Sequence, residues 1–367
     1  METILSWTSL PNLHPALVHL PIGMLPMALL FDTLGLFKKS QEWFAHAATT
    51  LYTAAAVTGG VALWAGERAA DGLVGIPAGV QLYIAKHSDW AHYATWTLVG
   101  VVVLRLALSL WERKSPGRRS LAFGLRASIL VAAFAGLGLL GKAADLGGAL
   151  VYEHAVAVNV DTNSEDPSGA PASSALMVPE EVEGVATRLL RGSDGALHWQ
   201  PLPTDTAALG SLLTPIGENR HAAVDEERGL GLRLSGESLL VLEGTFGDVQ
   251  VEATIELGSF KGTFGLLHHV ADAATAGAFL VSTTGETRLE DWRGGQRKVL
   301  DEGTVEPGSS LNLAVSAAGR HLKGFSDGRT VVHGHIAPGD DGACGLYFNG
   351  EGTLRVVALK VIPLTEH

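Results

Sequence analysis

Six histidines stand in the first 158 residues: His14, His19, His46, His87, His92 and His154. His14 and His19 are five residues apart, as are His87 and His92, which on a helix sets the members of each pair about 140° from one another. Two neutral imidazoles from facing helices can hold haem iron from both sides, whereas three, or two with a carboxylate, suit a bare metal ion. Hydrogen bonding among imidazoles and helix ends is the structural alternative. Glu67, Asp71, Asp145 and Glu153 are candidates for orienting such histidines as outer partners. Cys344 is the only cysteine, so an intramolecular disulfide and a thiolate cluster are excluded, and no CxxCH motif is present for covalent haem.

Helices must position these groups, and their composition suits a membrane. Four stretches, residues 15–37, 43–66, 90–111 and 120–141, are mostly apolar over the ~20 residues that a crossing requires. A soluble bundle needs only an apolar stripe, and these segments are apolar all round. Trp43 and Trp111 would mark one interface and Trp7, Trp64 and Trp90 the other. Nothing at the start reads as a cleavable leader.

Loop charge sets the expected direction. Lys38 and Lys39 lie in the first loop and Arg113, Lys114, Arg118 and Arg119 in the third, while Arg68 and Lys86 of the second are balanced by Glu67, Asp71 and Asp89. The positive loops belong in the cytoplasm, so both termini and the second loop are expected outside. All of the six histidines but His46 then fall near the outer ends of the helices. Pro15 reads as the first residue of the first helix and Ser88 as the N-cap of the third. His19 and His92 would therefore lie about 6 Å inside their helix starts. They are the expected axial pair, with Leu20, Ile22, Tyr93 and Trp96 as walls. His14, His87 and His154 would sit nearer water, suited to propionates, capping or partner contacts. Asp32 and Arg105, each near the cytoplasmic ends, are expected to pair as a structural clamp between the first and third helices.

The run His14-Pro15-Ala16-Leu17-Val18-His19-Leu20-Pro21 resembles the HPxxxHxP signature of the bacterial membrane family called domain of unknown function 2231. Four helices, a histidine opening the third and the Tyr152-x-His154 segment after the fourth are similar to that family too, over residues ~12–158. Ala155 stands where the family commonly has glycine. The family's histidine-bearing four-helix layout resembles membrane cytochromes b, and the resemblance implies haem b and electron transfer.

Residues 1–158 carry 11 Lys+Arg against 9 Asp+Glu and the rest of the chain 15 against 29, giving the net charge of −12. The acidic half argues against nucleic acid as a partner. Residues 159–185 read as a linker, Ser-, Pro- and Asp-rich at its start, and 186–367 as an all-β domain. Short runs at 232–234, 239–242, 249–255, 265–268, 278–281, 311–315, 330–333, 345–348 and 354–362 are separated by Gly, Asp and Ser, as in a sandwich or jelly roll. The Asp327-Gly328 turn between return strands, and the closing strand ending at Pro363, resemble the concanavalin-like sandwich of laminin-G modules and of the domain-of-unknown-function 1080 sugar-hydrolase family. Glu252, Glu290 and Asp291 could pair for glycoside chemistry, although exposed positions on an acidic surface explain them more simply. Trp292 could stack on a sugar. His268 and His269 are expected to alternate faces and so not to share a metal.

The expected architecture is thus a four-helix membrane domain plus a concanavalin-like β-sandwich. The protein reads as a multi-pass protein of the inner (plasma) membrane, embedded in the lipid bilayer, with the C-terminal domain periplasmic or otherwise extracytoplasmic. The main functional expectation is a b-type cytochrome-like subunit, not an enzyme on its own, whose sandwich docks a redox protein or larger membrane complex. The alternative is a non-redox anchor presenting a carbohydrate- or protein-binding sandwich.

Overall fold

A computed structural model describes residues 13–37, 43–114, 119–156, 177–179, 189–205, 208–216, 221–223, 229–337 and 339–365. Trp7, Lys38, Lys39, Arg118 and most of the expected linker lie outside them. The chain divides into two compact units, Met1–Gly72 with Lys86–Asn159, and Leu73–Ala85 with Val160–His367.

The first unit is helical: α1 (His14–Leu17), α2 (His19–Phe37), α3 (Trp43–Asp71), α4 (Ala78–Lys114) and α5 (Arg119–Tyr152). Three stretches, His14–Phe37, Ala78–Glu112 and Leu121–Tyr152, are long and apolar enough to cross a membrane. This corrects the expected count of four spans to three by length and composition, among the described residues. The expected second span is a helix, α3, but Ala, Thr and Gly supply much of its length, and Glu67, Arg68 and Asp71 close it. α3 still runs antiparallel to α1 and α2 along their length: Gly35 abuts Phe44 at one end and His14 abuts Gly66 at the other.

The third expected helix begins earlier than the N-cap reading placed it. α4 starts at Ala78, so Ser88 and Trp90 lie inside it. Buried Ala78, Leu82 and Ala85 form a stripe at helical spacing that carries the helix back through Lys86-His87-Ser88-Asp89. At the other end of the unit, Ala155 follows α5 with φ +49°. That left-handed backbone is what favours glycine at this turn.

The second unit is an antiparallel sheet folded over one core. Its strands are β1 (Met177–Pro179), β2 (Leu189–Gly192), β3 (Leu197–Trp199), β4 (Leu213–Ile216), β5 (His221–Ala223), β6 (Leu230–Phe246), β7 (Val249–Leu257), β8 (Lys261–Asp272), β9 (Thr275–Ser282), β10 (Glu286–Arg293), β11 (Gln296–Thr304), β12 (Ser310–Ala318), β13 (His321–Ser326), β14 (Arg329–His335) and β15 (Gly342–Pro363). The main order is β11-β10-β9-β8-β15-β7-β12-β13-β14. β1 pairs with β2, so part of the expected linker belongs to the sheet.

β15 turns the corner between layers. It pairs with β8 through Glu351 and with β7 from Leu354 onward. Between these sections Gly352 takes φ +120°, and a side chain there would strike the backbone of Ser259 and Phe260. Alternate residues then fill two faces. Leu240, Phe264, Phe279, Leu289 and Phe348 enter the core, while Leu239, Leu267, Leu280, Trp292 and Tyr347 form a second cluster. Burial on both faces makes 278–281 and 345–348 apolar runs without alternation. The unit also includes Leu73–Ala85, whose Gly75 N–H donates to the Gly328 carbonyl at 3.0 Å.

Candidate functional site

In the helical unit the structure brings together His14 and His87, not the expected pair His19 and His92. The His14 and His87 rings lie 5.9 Å apart, centre to centre, and nearly perpendicular at 89°. His14 Nδ1–H donates to the Ala62 carbonyl on α3, and His87 Nδ1–H to the Ala143 carbonyl on α5, each at 2.8 Å. Four residues beyond each acceptor stands a glycine against the ring. A Cβ on Gly66 would come within 2.8 Å of His14, and one on Gly147 within 3.0 Å of His87. Committing Nδ1–H to a carbonyl fixes the tautomer and leaves each Nε2 with a lone pair.

His19 is exposed, and its Nδ1–H turns back to the Pro15 carbonyl of its own helix at 2.6 Å. His92 likewise donates to Ser88 O at 2.9 Å, and its Nε2 lies 3.4 Å from Glu67 Oε1. With Nδ1–H committed, that second contact needs a proton between the two atoms. His92 and Glu67 share a groove of about 300 Å³ with Gly60, Trp64, Thr95 and Trp96. His154 is half-buried just past α5.

Deeper in the same unit Arg105 meets Asp32 at 2.6 Å, both buried. Its guanidinium also donates to Thr49 Oγ1 and the Ala45 carbonyl, and Tyr52 O–H donates to Asp32. The clamp expected from the sequence is present, with α3 supplying the remaining partners. Asp32 and Arg105 are 73 residues apart, as are His14 and His87. The two helix–helix hairpins therefore bring corresponding positions together twice.

In the sandwich, Glu290, Asp291 and Glu252 do not form a carboxylate pair. Glu290 is buried and accepts from Trp292 Nε1–H at 2.7 Å, Asp291 pairs with Arg293, and Glu252 lies beside Lys360. Trp292 is only 1% exposed, with the Arg297 guanidinium 4.1 Å above its ring. It is a floor for that arginine, which corrects its expected role as an open stacking platform. Arg297 also donates to Glu237 at 2.6 Å and to the Tyr347 hydroxyl at 3.2 Å, and Tyr347 O–H donates to Glu237 at 2.7 Å. The half-exposed Arg297–Glu237 pair thus stands on a buried aromatic base. Sequence reading missed it because its members come from β6, β11 and β15, three strands remote in the chain.

His268 and His269 do not simply alternate. A bulge with φ +48° at His269 turns the rings together, Nδ1 to Nδ1 at 2.7 Å. Burial, then the neighbouring His269, pushes His268 down to about 3. Burial alone would raise Glu237, but its hydrogen bonds from Arg297 and Tyr347 prevail and hold it below the ordinary carboxylate value. Both folded values lie below the unfolded ones, so both contributions are present at neutral pH and disappear on acidification. The His268 contribution should fade as pH falls from about 6.5 towards 3, and that of Glu237 only below about 4.5. Thermal melts against pH should show the upper step, and His268→Asn should flatten it. An unchanged upper step in that variant would refute the assignment.

Residues 10–160 match the family model described as "Predicted membrane protein (DUF2231)". No curated protein matches the chain. Among solved structures, a carbohydrate-binding module of Bacillus subtilis is 20% identical, covering 40% of this chain and 94% of that one, with a TM-score of 0.36. A galectin-like protein of unknown function from the same organism is 10% identical, covering 52% and 100%, with a TM-score of 0.37. A galectin of Caenorhabditis elegans is 12% identical, covering 40% and 98%, with a TM-score of 0.26.

Proposed function

We propose that this protein is a non-redox membrane anchor whose sandwich binds carbohydrate on the extracytoplasmic side. The observation that carries the reading is the Arg297–Glu237–Tyr347 cluster over Trp292. A guanidinium fork and a carboxylate side by side offer donors and acceptors matched to neighbouring sugar hydroxyls. The aromatic base holds the arginine in place, so little conformational freedom is lost on binding. The charge of the loops supports the outer placement, with α3 following α2 to the same depth.

Binding of a fluorescent panel of neutral oligosaccharides to intact spheroplasts tests both parts. At least one sugar should bind, and Arg297→Ala should weaken it by roughly 30-fold, a loss of about 2 kcal/mol as at an interface hot spot. Binding that appears only after lysis would overturn the placement. Equal binding by the variant would overturn the site.

The second reading is haem b and electron transfer, and one observation favours it: the perpendicular His14 and His87 rings with both Nε2 lone pairs uncommitted to the helix carbonyls. These donors suit axial ligation, and the carbonyls would hold the rings as outer partners. Bound haem would supply one-electron redox chemistry at this end of the bundle. On this reading the ligands would be His14 and His87, with a redox protein or membrane complex as partner, and not His19 and His92.

A further inference from the structure

We propose that the β13–β14 hairpin carries a tri-histidine site for a borderline divalent transition-metal ion such as Zn²⁺. His321 and His335 are direct cross-strand partners. His333 lies two residues before His335 and therefore points to the same face of the strand. One nitrogen from each ring lies within 4.8 Å of the other two. The ring centres of His335 are 4.7 Å from those of both His321 and His333. Zn²⁺ binds imidazole nitrogen at about 2.0–2.1 Å, so small side-chain rotations suffice to bring three donors onto one ion.

The hairpin is held in place around these groups. Ile336 N–H donates to Arg320 O at 3.0 Å, closing the open end of the hairpin, and His333 N–H donates to Asp301 Oδ2 at 2.8 Å. Asp301 thereby places a carboxylate at the base of the cluster, where its charge offsets that of a bound cation. Burial falls from His321 through His333 to the exposed His335. The ion would have two sheltered ligands, one at the surface, and a fourth position open to water. Lys323, opposite His333 on the same face and buried, is the one cation at the site; its charge opposes the metal and should limit affinity. Donors of this type select Zn²⁺, Co²⁺, Ni²⁺ or Cu²⁺ over Mg²⁺ and Ca²⁺.

The test uses the full chain without a histidine tag, in detergent, stripped with chelator and dialysed. Co²⁺ titration should develop the visible bands of a nitrogen-ligated ion at one equivalent, and Zn²⁺ should displace it. His333→Ala and His335→Ala should each weaken binding by more than the roughly 10–100-fold that loss of an outer partner costs. Lys323→Met should tighten it, and His198→Ala on β3 should leave it unchanged. His335 is exposed, so its variant separates ligand loss from misfolding should His321→Ala fail to fold. Absence of a stoichiometric Co²⁺ spectrum, or full retention of it in both His333→Ala and His335→Ala, would overturn the site.

Discussion

Arg105→Gln should destabilise the helical unit by about 3–5 kcal/mol, because it leaves the Asp32 carboxylate without its ionic partner in a buried position. The Thr49 and Ala45 acceptors lose their donors in the same step. Asp32→Asn should cost a similar amount, since Arg105 then keeps its charge without a counter-ion. The double variant removes both charges, and its loss should fall short of the sum by about 1–3 kcal/mol. Denaturation in mixed micelles measures this cycle. Simple additivity would show that the contact contributes nothing to folding.

Gly277→Ala should be the most damaging small substitution in the sandwich. A Cβ there would overlap the imidazole of His268, which is fully buried and cannot swing into solvent. Overpacking of this kind costs about 1–3 kcal/mol, or more where the neighbour cannot move. Adding His268→Ala should relieve the collision, so the double variant should melt above Gly277→Ala alone. If Gly277→Ala melts like the parent chain, the ring does not occupy the position described.

The sequence made the helices and the buried clamp legible, yet pointed to the wrong histidine pair. The clamp itself held the answer. Asp32 is 18 residues from His14, and Arg105 is 18 from His87, five full turns of an α-helix. A buried charge fixes the inward face, so His14 and His87 share that face while His19 and His92 point elsewhere. Reading Ser88 as a cap hid this, because it stopped the third helix ten residues short of Ala78.

In the sandwich, the apolar strands were readable. β10 and β11 were not, since ETRLEDWR and QRKVLDEGT carry little hydrophobic alternation; they form because neighbouring strands supply partners. The metal-capable trio was within reach, as the Asp327-Gly328 turn places His321 opposite His335 by counting along the hairpin. The Arg297 cluster was not, because strand order alone joins β6, β11 and β15.

The absorption spectrum of the full chain, purified in detergent from cells supplied with ample haem, tests most directly whether the helical unit is an anchor. The account predicts a colourless protein with no Soret band, unchanged by His14→Ala or His87→Ala. A stoichiometric low-spin haem spectrum, abolished by either of those two substitutions, would contradict it and make the helices the redox-active part of the molecule.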